Sequence, residues 1–360
     1  MLARKMLRDM GRHKSQFISI FLMAFLAIFI YTGVGGEWRG LQKSVNDFYG
    51  RTNLADVFLY GNGFTESQAA AVKGISDVSG VERRLEITAI GNFENSPALH
   101  LYFVEKNEIS KLYLLDGSDF NENDASGVWL DKRFADAHSI TPGNQISFTM
   151  SRMALTKTVR GLIYSAEQVY ESGSDTLKPE FADYGYAYLS IKAFPVPEML
   201  AYSTLLIKAD DTAGLEDKIS DALKGKYSVY LEQKNHPSVN MFANEIQQHK
   251  MMGDIFPVVF LLIALLTMMT TMTRIVASQR IQIGTLKALG FKKSVVLRHY
   301  IAYGFFLSLL GAVAGLLTGP VSLPHLFYPS MSSFYTIPEW KPAYSLSYLW
   351  VSIALVLLCT

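Results

Sequence analysis

One cysteine, Cys359, occurs in the 360 residues, so an internal disulfide is excluded and any domain in water must be held by its own core. About 200 residues suffice for such a core. The phosphate-loop pattern G-x-x-x-x-G-K-[ST] is also missing: before Gly225-Lys226 the earlier glycine position holds Ser220. The seven histidines (His13, His100, His138, His236, His249, His299, His325) form no H-x-x-x-H and no Cys-His pair, so no metal site is expected. Net charge is only +1, and the basic residues gather beside apolar runs instead of along one face, so no nucleic-acid partner is expected. No reactive cluster suggests an enzyme. No charge interrupts the middle of the first three apolar runs, which argues against an ion-coupled carrier.

What the chain does have is apolar sequence, 49% of residues, kept apart from 18% that are charged. Such segregation predicts a protein partly in a membrane and partly in water. Residues 1–15 carry Arg4, Lys5, Arg8, Arg12 and Lys14, which places the N-terminus in the cytoplasm. A first transmembrane helix is expected at 16–36. No small-x-small cleavage site closes it, and Trp38, Leu41, Val45 and Phe48 continue a helical period beyond it, so it reads as an uncleaved anchor. A second span is expected at 254–273, with Pro257 near its outer end, and a third at 297–319. In the third, Gly311, Gly315 and Gly319 make a stripe suited to close helix packing. Pro320, Pro324, Pro329, Pro338 and Pro342, among Phe327, Tyr328, Tyr335 and Trp340, predict an outer loop over 320–344. A fourth apolar run at 345–360 is too short to finish a crossing, as expected for a piece of a longer membrane protein. The fold class is membrane α-helical, with three full transmembrane helices and a partial fourth, plus an extracytoplasmic α+β domain at 37–250.

Within 37–250 the order is a helix continuing from the membrane to Tyr49, then a strand at 54–60. Thr65 and Gln68 have capping-box spacing and open a helix through Val72. Strands are expected at 81–93, 98–104, 128–130, 145–150, 157–163, 202–209 and 227–231, with a helix at 132–137 before the Thr141-Pro-Gly-Asn144 turn. A second amphipathic helix over 212–223 should turn Leu215, Ile219, Ala222 and Leu223 inward. The stretch 167–194 reads as irregular, and its Tyr170, Tyr184, Tyr186 and Tyr188 are either a binding surface or the cover of a strand or loop. From Val239 the chain turns helical and runs into the second span.

Between the second and third spans lies Arg274 to His299, basic and free of acid, which again points to the cytoplasm. Its amphipathic helix, expected at 278–290, has Ile281, Ile283, Leu286 and Leu289 on one side and ends at Gly290, where a residue without Cβ adopts the left-handed cap. Arg280-Ile-Gln-Ile-Gly-Thr-Leu-Lys-Ala-Leu-Gly290 resembles the segment R-x-E-I-G-x-L-[KR]-A-[LI]-G of FtsX-like (MacB-like) ABC transporter permeases. Gln282 stands where that family usually has Glu, which removes one charge. The helix, Pro-Gly turn and Ile-Ser-Phe strand at 132–148 also look like the extracytoplasmic core of MacB-like permeases.

The resemblance implies that this segment is a cytoplasmic coupling helix docking on a separate ABC ATPase. Arg280, Ile281, Gln282, Gly284, Leu286, Lys287, Leu289 and Gly290 would form the docking surface, with ATP and magnesium held by the partner and none in this chain. It further implies a second permease copy or half, a bacterial cell membrane, and transmission of ATP-driven motion to the outside domain. A rival reading is a membrane-anchored receptor or scaffold, without any ATPase, whose outside domain binds a ligand.

Overall fold

The computed structural model describes residues 14–170, 179–345 and 347–358. Arg4, Lys5, Arg8, Arg12, His13 and Cys359, invoked above, lie outside the described residues. The first half runs α1 (Lys14–Thr52), β1 (Val57–Tyr60), α2 (Glu66–Lys73), β2 (Val78–Gly91), β3 (Ala98–Val104), β4 (Tyr113–Gly117), β5 (Gly127–Asp131), α3 (Lys132–Ala137) and β6 (Gln145–Met150). There follow β7 (Met153–Tyr164), β8 (Tyr184–Ser190), β9 (Thr204–Ala209), α4 (Leu215–Leu223), β10 (Val229–Glu232), α5 (Pro237–Ser278), α6 (Arg280–Ala288), α7 (Lys293–Met331) and α8 (Ser347–Leu358). Two compact units result: a helical unit of Met1–Lys43, Glu245–Ser330 and Trp340–Thr360, and a sheet unit of Ser44–Asn244 and Met331–Glu339.

In the helical unit, α1, α5 and α7 are long and apolar enough to cross a membrane. Their shared core includes Phe17, Ile20 and Ile28 of α1, Ala264, Met268 and Ile275 of α5, and Tyr300, Tyr303 and Leu307 of α7. The structure corrects the expected loop over 320–344: α7 continues through Pro320, Pro324 and Pro329 to Met331. Proline removes one N–H from the helical ladder, but an apolar helix packed on a neighbour tolerates that loss. Here the neighbour is α1, where a Cβ on Gly36 would lie 3.1 Å from Pro320 Cα and one on Gly33 would strike Leu323. Close packing keeps as helix what composition alone assigns to a loop. Tyr328 therefore sits on α7, and its hydroxyl donates to the Lys341 carbonyl at 3.0 Å.

The sheet unit is built on one sheet, among the described residues, in the order β10-β1-β9-β2-β3-β8-β5-β7-β4, with β6 pairing β2 and β7. Only β3–β8 and β5–β7 are parallel among these pairs, which makes the unit α+β. Side chains alternate across the sheet as strand geometry requires. Leu99, Leu101 and Phe103 of β3 join Leu85, Val128, Leu130, Phe134, Ala187 and Leu189 on one face. Tyr102 and Val104 join Trp129, Tyr186 and Tyr188 on the other. At the far side, α2 and α4 cover β1 and β9 through Val57, Leu59, Val72, Leu205, Ile207, Leu215 and Ile219. Thr65 and Gln68 do form the capping box: Gln68 N donates to Thr65 Oγ1, and Thr65 N donates to Gln68 Oε1.

Three details depart from the sequence reading. Tyr184–Ser190 is a regular strand, and Tyr186 and Tyr188 are buried in its aromatic face, with Tyr102 and Tyr188 stacked at 4.5 Å. Alternating Gly, Ala and Tyr hide the strand's period because the small residues face the larger core. Ala222 is exposed, while Leu215, Ile219 and Leu223 of α4 are buried. It lies to one side of their stripe, and a single methyl does not reach the sheet. Finally, residues 331–339 belong with the sheet unit: Thr336 N donates to the Val169 carbonyl, Arg133 Nη2 donates to the Ser332 carbonyl, and Tyr335 pairs with Tyr170.

The sheet also carries a buried ion network. Arg84, 2% exposed, bonds Glu86 through Nε and Nη2 (3.0 and 2.7 Å) and Glu167 through Nη1 (2.9 Å), and lies over the Tyr102 ring. Burial pushes the Glu86 carboxyl up, but attraction to Arg84 and bonds from Arg84 and Thr204, with His100 close by, outweigh it and bring it down to about 2. A carboxyl lowered on folding stabilises the fold fully above its unfolded value and loses that contribution as pH falls through its folded value. Denaturant midpoints should therefore drop between about pH 4.5 and 2, the window from an ordinary carboxyl to the folded value. Unfolding of Glu86→Gln over the same range should show a shallower slope; an equal slope would remove Glu86 as its source.

Candidate docking helix

The break between α5 and α6 falls at Gln279, whose φ of −101° and ψ of 15° lie off the helix. Its side chain is buried and accepts a hydrogen bond from the Tyr300 hydroxyl of α7 at 2.7 Å. Tyr303 and His299 pair nearby at 3.2 Å, and Phe17 of α1 stacks on Tyr303 at 5.4 Å. These residues form the seat of α6. His299 ends the basic stretch between the second and third spans, yet it is buried here. The spacing of His299, Tyr300 and Tyr303 on one side of α7 was the available signal.

α6 ends in a complete Schellman cap: Gly290 N donates to the Lys287 carbonyl and Phe291 N to the Leu286 carbonyl, with Gly290 at φ +88°. Its apolar side divides in two. Ile283 and Leu286 pack, half-buried, against the core of the helical unit. Ile281 and Leu289 point away and are 86% and 71% exposed. Arg280, Gln282, Gly284, Lys287 and Gly290 are exposed as well, and a Cβ on Gly284 would meet nothing within 4 Å. Neither Arg280 nor Lys287 pairs with an acid among the described residues. Of the eight proposed docking residues, seven thus share the open surface and Leu286 serves the seat. The seat contacts α6 through Gln279, Ile283 and Leu286, while two large apolar side chains flanked by cations stay uncovered.

Residues 255–360 match the family model described as FtsX-like permease C-terminal. The chain carries an FtsX-like permease domain. That domain contains the apolar end of α5, the whole of α6 and α7, and α8. Among curated proteins none matches. Among the solved structures similar to about half of the chain are the following two. The extracellular domain of the noncanonic ABC-type transporter YknZ from Gram-positive bacteria is 14% identical, with 49% of this chain and 97% of that one covered and a TM-score of 0.34. The periplasmic region of MacB from Actinobacillus actinomycetemcomitans is 15% identical, with 53% and 91% covered and a TM-score of 0.34.

The glycine stripe of the permease domain lies against α1. A Cβ on Gly311 would come within 2.6 Å of the Phe21 carbonyl, one on Gly315 within 2.8 Å of the Phe25 carbonyl and Phe29 N, and one on Gly319 within 2.6 Å of the Phe29 carbonyl. These obstacles are backbone, so a side chain there moves a whole helix. Gly315→Leu is expected to cost about 1–3 kcal/mol or more, seen as a lower melting temperature in detergent. Gly284→Leu, in open space, is the control and should leave melting unchanged. Glu37, which no sequence motif marks, is buried on α1 with Oε2 at 2.9 Å from His249 Nδ1 of α5. Among the described residues, no three His, Cys, Asp or Glu side chains are grouped to hold a metal ion.

Proposed function

We propose that this protein is the membrane subunit of an ABC transporter and that α6 docks on a separate ATPase. The supporting observation is the outward face of α6, with Ile281 and Leu289 uncovered between Arg280 and Lys287. A groove with an apolar floor and acidic rim on the ATPase would take it. ATP and magnesium would be bound by that partner, and closure of the ATPase would pull α6, which the Gln279–Tyr300 bond and the Ile283 and Leu286 contacts couple to α5 and α7. α1 and α5 are each continuous helices of 39 and 42 residues, stiff enough to carry such a motion along their length. In this reading α6 lies in the cytoplasm of a bacterial cell, the sheet unit lies outside, and two copies or halves act together. Whether the motion exports, extracts or signals depends on the sheet unit.

The test is capture of the tagged full-length protein in mild detergent, followed by mass spectrometry. An ABC ATPase among the partners supports the proposal. Reproducible capture without any ATPase, alongside an extracellular ligand, would replace it with the receptor reading.

A further inference from the structure

The sheet unit contains a cavity of about 450 Å³ between β1, β2, β3 and the start of α5. Tyr60, Glu86, His100, Tyr102, His236 and Met241 supply its chemistry. The size falls within the ~300–1,000 Å³ of ordinary small-ligand pockets.

Glu86 is the decisive wall residue because its two oxygens are used unequally. Oε1 accepts from Arg84 Nε, Arg84 Nη2 and Thr204 Oγ1 at 3.0, 2.7 and 2.8 Å. Among the described residues, Oε2 has only His100 Nε2 nearby, at 3.6 Å, too long for a hydrogen bond. One carboxylate oxygen is therefore left to accept from something else. Two further polar atoms, His100 Nε2 and His236 Nδ1, are buried without a hydrogen-bond partner. Buried polar atoms are normally paired, and unpaired ones grouped at one cavity mark where a polar ligand can bond.

The sign of that ligand follows from the charges. Arg84 faces two carboxylates, Glu86 and Glu167, so the network carries one excess negative charge. Burial pushes the His236 imidazole down, so it stays neutral at neutral pH and does not offset that charge. The N-terminus of α5 at the rim contributes about half a positive charge at most, less than the full excess. Around the carboxylate stand the rings of Tyr60 and Tyr102, the latter stacked on His100 at 4.7 Å. The faces of Tyr102 are already taken by His100 and Tyr188, so the open carboxylate oxygen carries the preference for a cation.

We propose that this cavity binds an organic cation, a primary amine or guanidinium on a short apolar stem, with Glu86 Oε2 as its acceptor and Tyr60 and Tyr102 as its walls. The site is independent of ATPase docking. Such a group occurs on free diamines and on basic peptide side chains, and the two are separated by the probes. Cadaverine and the blocked tripeptide acetyl-Gly-Lys-Gly-amide are titrated into the full-length protein in detergent by calorimetry. Their uncharged counterparts are 1,5-pentanediol and acetyl-Gly-norleucine-Gly-amide.

At least one cation should bind about tenfold or more tighter than its counterpart, the scale of a charge-assisted bond. Cadaverine alone assigns a free amine, and a stronger tripeptide assigns a peptide. Glu86→Gln should lose this preference. Because Glu86 also supports Arg84, a second variant, Met241→Trp, fills the cavity from a side chain that is 43% exposed and outside the ion network; it should abolish binding with the fold intact. The proposal is overturned if neither cation outbinds its counterpart, if acetyl-Gly-Glu-Gly-amide binds better than the lysine peptide, or if Met241→Trp binds like the wild type.

Discussion

Ile281→Asp is expected to remove the ATPase from the captured complex while the protein is made, inserted and melts as before. Ile281 is 86% exposed, so its loss removes almost no buried surface from the folded chain. It lies in the first turn of α6, where an acidic side chain suits the helix dipole, and surface changes of this kind stay within about 0.5 kcal/mol. At the docking surface the same change places a carboxylate where an apolar anchor should enter a groove with an acidic rim. Loss of a central anchor commonly costs about 2 kcal/mol or more, roughly thirtyfold in affinity. Stimulated ATP hydrolysis should fall with the amount of partner recovered. Leu286→Asp is less informative, because Leu286 is half-buried in the seat and its replacement should lower the melting temperature too. Full ATPase recovery with Ile281→Asp would remove α6 as the docking element, whatever Leu286→Asp does.

The second large effect is expected from Arg84→Met, at about 3–5 kcal/mol of stability in the sheet unit. Arg84 is the cation for both Glu86 and Glu167, and Glu167 is itself almost wholly buried. Without Arg84 those carboxylates either remain ionised in a poor environment or take up protons, and each route is costly. The urea midpoint should fall steeply at neutral pH and recover partly at acid pH, where the carboxylates are neutral, opposite to the wild-type trend. Replacing Glu167 by Gln in the same chain should restore part of the loss, since one of the two orphaned charges is gone. A single-variant effect below about 1 kcal/mol, the usual value of an exposed pair, would show that the network is solvated and contributes little.

What could be read from the chain alone followed the range of the forces involved. The capping box at Thr65 and the glycine stop at Gly290 are local, and both were legible from residues within five positions of each other. Strands β3 and β6 were legible because their apolar side chains alternate. β8 was not, since its Gly185 and Ala187 face a core that accepts little more than a Cβ, so its period is masked. The helix through Pro320, Pro324 and Pro329 depends on Gly33 and Gly36 of α1, almost 300 residues earlier in the chain, and no local rule contains that. The docking face was legible in type, but its division was not. Which of Ile281, Ile283, Leu286 and Leu289 turn inward is decided by Gln279 and Tyr300, on opposite sides of the helix in sequence. Arg84 with Glu167, 83 residues apart, left no trace in any window.

Residues 331–339 have a consequence for how the molecule is made. They complete the sheet unit through Thr336 on Val169, Arg133 on Ser332, Tyr335 against Phe242 and Glu339 on Arg51. On the ribosome they emerge only after all of α5, α6 and most of α7 have been synthesised. A chain arrested at residue 300 would hold every strand yet lack that last clasp, and would be open to protease around Arg133 and Val169. Closure of the sheet unit by these residues thus follows synthesis of the third long helix, an order of assembly set by the chain itself.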